Sequence, residues 1–150
     1  GAGTLGTSPT RQVLSVDWKR NILVVASETA SSPEFLDALS ERAREQPTAF
    51  SLVCPVAPSG RGVRDQADLE AVVARIREEG LEVASASLGP PNPCEAVEDV
   101  FDREYHDEII VSTLPPGSSR WLASGAPQQI QRRTGATVRH LVGSGSRTFC

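Results

Sequence analysis

No apolar run in the 150 residues approaches the roughly 20 that a membrane-crossing helix needs, so no membrane partner is expected. Nor is there a basic stretch. The 15 Lys and Arg are outnumbered by 19 Asp and Glu, for a net charge of −4, and they are scattered along the chain. The positive footprint that grips a phosphate backbone is missing, which argues against nucleic acid as a partner. Aromatics are scarce, with one Tyr, two Trp and four Phe, too few to sandwich a flavin ring. Only three cysteines occur, Cys54, Cys94 and Cys150, an odd number at unrelated spacings. A disulfide-stapled secreted scaffold needs an even and denser set, so a reducing compartment, the cytoplasm, is expected. Gly1 to Pro9 show neither a basic start nor an apolar block and read as a tail rather than a secretory leader.

What is present suits one globular domain. A chain of this length buries roughly 70% of the surface it would expose unfolded, enough for a core without disulfides or structural metals. Ile22-Leu23-Val24-Val25-Ala26 is a short, β-branched apolar run of the kind found in strands covered on both faces. Ser31-Ser32-Pro33-Glu34 follows as a helix start, with Ser32 as N-cap and Pro33 at the first helical position. Phe35, Leu36, Leu39 and Ala43 form the buried stripe of that helix.

The unit then repeats. Ala49 to Val56 reads as a strand, and Pro58 to Asp65 as a polar loop. Leu69, Val72, Val73 and Ile76 lie at helical spacing, stopped by Gly80. Leu81 to Leu88 is a third strand, and Asn92-Pro93 opens a helix whose inward residues are Val97, Val100 and Phe101. Glu108 to Ser112 is a fourth strand, and Thr137 to Val142 a fifth after Gly135. Such alternation implies right-handed βαβ units. The expected fold is a three-layer α/β sandwich: a five-stranded parallel sheet in the order 3-2-1-4-5 with helices on both faces. It spans residues 21–142, between flexible segments at 1–20 and 143–150, and Val13 to Trp18 pairs weakly or lies on the surface.

Three features resemble the universal stress proteins of the adenine nucleotide alpha hydrolase-like superfamily. They are the opening strand with its polar turn Ser27-Glu28-Thr29, the Asn92-Pro93 turn leading through Val100-Phe101 to Ile109-Ile110-Val111, and the segment from Ser112 to Ala126. The resemblance implies a binding or regulatory module in stress response that pairs as a homodimer through the edge strand Thr137 to Val142. It also implies a candidate adenine-nucleotide (ATP or AMP) or anion site at Ala26, Ser27, Glu28, Val56, Ser112, Thr113, Gly117, Ser118, Ser119, Arg120 and Gly125. In ATP-binding members a glycine follows strand four, another comes two residues further on, and Gly-Ser or Gly-Thr comes nine residues after that. Those positions here read Ser112, Pro115 and Gly125-Ala126, and Ser27 stands where such members commonly carry an aspartate.

The physics of the loop points the same way as the pattern. Phosphates bind where main-chain N–H groups are unpaired and glycines allow close approach. Pro115, Pro116 and Pro127 supply no N–H, and Ala126 has no hydroxyl. A weakened or absent grip on ATP is therefore expected, and no cofactor is assigned with certainty. A phosphoacceptor receiver domain shares the sheet, but its acidic cluster, acceptor aspartate and lysine positions read Ser27-Glu28, Leu88-Gly89-Pro90 and Gly143-Ser144.

Other reactive residues read as structural. Cys94 falls in the first turn of a helix, where the dipole favours a thiolate and a redox role. Cys54 reads as a small core residue. His106 and His140 lack the clustered partners of a metal site, and Asp107-Glu108 read as a solvated loop entering strand four. Glu95, Glu98, Asp99 and Asp102 form a solvated helix face. With no nucleophile elbow or phosphate-loop lysine, no catalytic residue is assigned.

Overall fold

The computed structural model describes residues 19–30, 32–57 and 62–143. Expectations for Val13 to Trp18, for residues 58–61 of the polar loop, and for Cys150 with the tail after Gly143 lie outside the described residues.

Chain order is β1 (Arg20–Val25), α1 (Pro33–Glu45), β2 (Thr48–Pro55), α2 (Gln66–Glu78), β3 (Glu82–Gly89), α3 (Pro93–Val100), β4 (Glu108–Thr113), α4 (Arg120–Ala123), α5 (Ala126–Thr134) and β5 (Thr137–Val142). The sheet has five strands in the order β3-β2-β1-β4-β5, and every neighbouring pair is parallel. The predicted α/β topology is therefore the observed one. The first strand starts two residues before the expected Ile22, because Arg20 already pairs with Thr48, and ends one before Ala26.

Alternation along β1 explains the two cores. Successive strand residues point to opposite faces. Ile22 and Val24 join Phe35, Leu36 and Leu39 of α1 and Leu69, Val72 and Ile76 of α2. Leu23 and Val25 face the other way, against Val97 of α3 and Ala126 and Ile130 of α5. A run apolar at every position was the signature of this double cover.

The helix starts behave as their sequences dictate. Ser32 Oγ accepts the Phe35 N–H at 3.1 Å, and Asn92 Oδ1 accepts the Cys94 N–H at 2.8 Å. Each has proline at the next position, where a missing N–H does no harm. Asp65 caps α2 through the Asp68 N–H at 3.0 Å. Gly89 matters for another reason. A β-carbon there would lie 2.7 Å from Ala96 Cβ, so only glycine lets α3 sit this close to the end of β3.

One expectation is overturned at the opposite edge of the sheet from these caps. Asp107 is an exposed loop residue as expected, but Glu108 is not. Glu108 is buried as the first residue of β4, and Arg42 Nη2 of α1 reaches both its carboxylate oxygens at 2.7 and 2.6 Å. Arg139 Nε of β5 lies 3.4 Å from the same carboxylate. Asp107 Oδ2 accepts the Asn21 N–H at 2.8 Å, tying β4 to β1. A charged residue at the mouth of a central strand is enclosed by its neighbours, and a buried carboxylate must be paired.

Candidate functional site

β1 and β4 lie side by side, but their crossovers leave in opposite directions, towards β2 and towards β5. Loops diverge there and open a crevice at the carboxyl ends of the strands, the usual ligand position in open α/β sheets. A cleft of about 500 Å³ occupies that place. Its size falls in the range of roughly 300–1,000 Å³ typical of small-molecule sites.

Seven of the sequence-predicted residues come together on its wall: Ser27, Glu28, Val56, Ser112, Thr113, Ser119 and Arg120. Four do not. Ala26 is wholly buried at the end of β1. Gly117 and Ser118 belong to an exposed turn closed by the Ser118 N–H donating to Pro115 O at 3.0 Å. Gly125, left-handed at φ +73°, leads into α5 rather than facing the cleft. Sequence reasoning did not assign Thr29, Asn92, Trp121 and Gln129 to the site, yet all line it. Position alone pointed to Thr29, in the turn after β1. Nothing in the sequence marks Gln129, one turn into α5.

The hydroxyls on this wall are largely engaged within the protein. Ser112 Oγ and Thr29 Oγ1 are 2.5 Å apart and both are buried. This pair ties β4 to the turn after β1 at the position where the family pattern has its first glycine. Ser27 Oγ accepts the Val63 N–H at 3.3 Å and so holds the loop after β2. Ser119 Oγ caps the short α4 by accepting the Leu122 N–H at 3.0 Å. Gly117-Ser118-Ser119 therefore form a turn followed by a helix cap.

Thr113 makes two contacts with one hydrogen. Its hydroxyl donates to Leu114 O at 2.8 Å, so the His140 ring must be the donor across the 2.7 Å between Nε2 and Thr113 Oγ1. Burial lowers the His140 pKa below its ordinary 6.5, consistent with a neutral ring.

Cys94, the candidate redox residue, lines the cleft. It starts α3 as predicted, but it is buried with its sulfur 3.7 Å from Gln129 Oε1 and 4.0 Å from Ala126 O. Burial raises its pKa above the ordinary value, and the opposing charge of Arg133 does not reverse the shift. Desolvation of a thiolate outweighs the helix-start effect here. Cys54 sits in the core as expected, its thiol pushed up to about 12 by burial. His106 stacks on Phe101 with ring centroids 5.7 Å apart, and its Nδ1 accepts the Asp102 N–H at 3.0 Å. No cluster of metal-ligating side chains occurs among the described residues, and none of their helices is long and apolar enough to cross a membrane.

No family model and no curated protein matches this chain. Solved structures do. A Mycobacterium universal stress protein in complex with cAMP aligns with a TM-score of 0.57 at 18% identity, covering 83% of this chain and 98% of that one. A universal stress protein from Archaeoglobus fulgidus aligns with a TM-score of 0.54 at 19% identity, covering 81% and 92% respectively. Strand order, crossover pattern and these superpositions agree: the chain has the universal stress protein fold.

Proposed function

We propose that the protein is a regulatory, small-ligand-binding module whose cleft accepts a nucleoside-sized molecule but has lost most of its grip on a triphosphate. The observation that carries this reading is the pairing of a formed cleft of about 500 Å³ with a phosphate loop short of donors. Pro115, Pro116 and Pro127 have no N–H to offer. The N–H groups of Ser118 and Gly125 are used by Pro115 O and Leu122 O. Ser112 and Ser119 direct their oxygens to Thr29 and Leu122. The universal stress protein solved with cAMP supports a nucleotide-class ligand.

Thermal-shift titration tests the reading. cAMP should stabilise saturably, by about 2.7 kcal/mol at a hundredfold excess over Kd. For a domain of this size that is a Tm rise of about 5–11 °C. MgATP should do less. Stronger stabilisation by MgATP than by cAMP would show that the loop still holds a triphosphate.

We further propose that the chain works as a cytoplasmic homodimer joined along β5. Support comes from Thr137–Val142 being the outer strand of the sheet with a largely exposed face, and from Val142 being 45% exposed. An unpaired edge invites another strand. The free thiols of Cys54 and Cys94 fit a reducing compartment. Native mass spectrometry at micromolar concentration should give the dimer mass and reveal any carried ligand. A monomer mass would remove the pairing proposal.

A further inference from the structure

Two formal charges stand on the cleft wall among the described residues, Glu28 in the turn after β1 and Arg120 at the start of α4. Neither side chain has a hydrogen-bonding or ion-pairing partner among the described residues. Some of the chain's other charges are paired, as in Arg42–Glu108, Arg64–Asp68 and Arg133–Glu98. The same wall carries apolar surface from Pro55, Val56, Leu114 and the half-buried Trp121.

We propose that this cleft selects a flat ligand carrying one compact anionic group and several hydroxyl or amine hydrogens, with Arg120 reading the anion and no divalent cation required. The proposal rests on the cleft being a ligand site, as argued above. Its physical content is charge matching. The cleft is formally neutral as built, with one positive and one negative side chain. A single anion satisfies the Arg120 fork, which suits a phosphate or carboxylate. Glu28 then accepts hydrogens from the ligand's hydroxyl or amine groups.

A polyphosphate fits badly. Its additional charges would meet only Glu28, of the same sign. Bound Mg²⁺ is commonly held by carboxylates together with substrate phosphates, and Glu28 is the lone carboxylate on the wall among the described residues. A neutral ligand fits badly too, because it leaves Arg120 unmatched. Arg120 follows none of the glycine positions of the family pattern. It adds by charge what the prolines remove in main-chain donors.

Isothermal titration of the full chain with cAMP, adenosine and MgATP tests the assignment. Wild-type protein should bind cAMP at least about tenfold more tightly than adenosine, as expected when a hydrogen bond to a charged group is gained. Arg120→Ala should weaken cAMP about 10- to 100-fold and leave adenosine unchanged. Arg120→Lys should recover part of the loss. EDTA should leave cAMP binding unaltered. Raising salt should weaken cAMP binding to wild type and have little effect on Arg120→Ala. Because Arg120 is exposed, urea unfolding of the variants should match wild type, which separates recognition from folding. Equal affinity for cAMP and adenosine, an unaffected Arg120→Ala, or tightest binding by MgATP would overturn the proposal while leaving a nucleotide site standing. Failure of all three compounds to bind would remove the nucleotide site itself, and the charge assignment with it.

Discussion

Replacing Glu108 by alanine should be the most damaging single change at the amino-terminal edge of the sheet. The carboxylate is 9% exposed and Arg42 13%, with a closest N–O distance of 2.6 Å. Arg42 also contacts Glu45 at 2.6 Å, and its backbone carbonyl accepts a 2.7 Å bond from Arg20. The Nε atoms of both Arg20 and Arg42 are already buried without a partner, so the network has no spare acceptor to take over. Removing one member of a buried pair costs about 3–5 kcal/mol, and the half-exposed Glu45 replaces the lost contact only in part. Against a total stability of about 5–15 kcal/mol that is a large share. It corresponds to a Tm loss of about 6–20 °C for a domain of this length.

Urea denaturation followed by circular dichroism measures the effect. The midpoint should fall while the slope stays constant, since the surface exposed on unfolding is unchanged. Arg42→Met combined with Glu108→Leu should recover most of the loss, because two apolar side chains leave no buried charge behind. A Glu108→Ala variant within about 1 kcal/mol of wild type would match an exposed pair. It would refute the burial argument and restore the solvated-loop reading of Glu108.

Burial lowers the His106 pKa below its ordinary 6.5, outweighing the opposing charges of Asp102 and Asp107. Its folded form therefore prefers the neutral ring. Stability should be full above about pH 6.5 and fall as pH drops through the lower folded value, because the unfolded state then binds the extra proton. His140 shifts in the same direction, so His106→Phe should shrink the loss between about pH 7.5 and 5.5 without abolishing it; an unchanged loss would rule out His106 as a source. Gly89→Ala should destabilise by about 1–3 kcal/mol through overpacking, since its new methyl would lie 2.7 Å from Ala96 Cβ. Ala96→Gly in the same chain should restore part of it, and no loss in Gly89→Ala would show that α3 can shift. Cys54 and Cys94 should resist alkylation in the native protein at mildly alkaline pH and react in urea, read by peptide mass spectrometry. Rapid native labelling of Cys94 would contradict its burial and raised pKa.

The sequence alone determined the layers of this molecule. An apolar run at every position of Ile22 to Ala26 required cover on both faces, and the two cores provide it. Ser32-Pro33 and Asn92-Pro93 carried their own helix starts because capping is local chemistry, complete within about four residues. The missing donors of Pro115, Pro116 and Pro127 were equally legible, since proline lacks its N–H in any fold. Tertiary structure decided whatever depends on partners distant in the chain. Glu108 looked solvated beside His106 and Asp107 until Arg42, 66 positions away, closed over it. Cys94 looked activated at a helix start until Ala126 and Gln129 buried it. Gln129 reached the cleft, and Gly117 and Ser118 missed it, only once α4 and α5 had packed. Local sequence fixes which groups a segment can offer. Desolvation and pairing depend on what the fold brings against them.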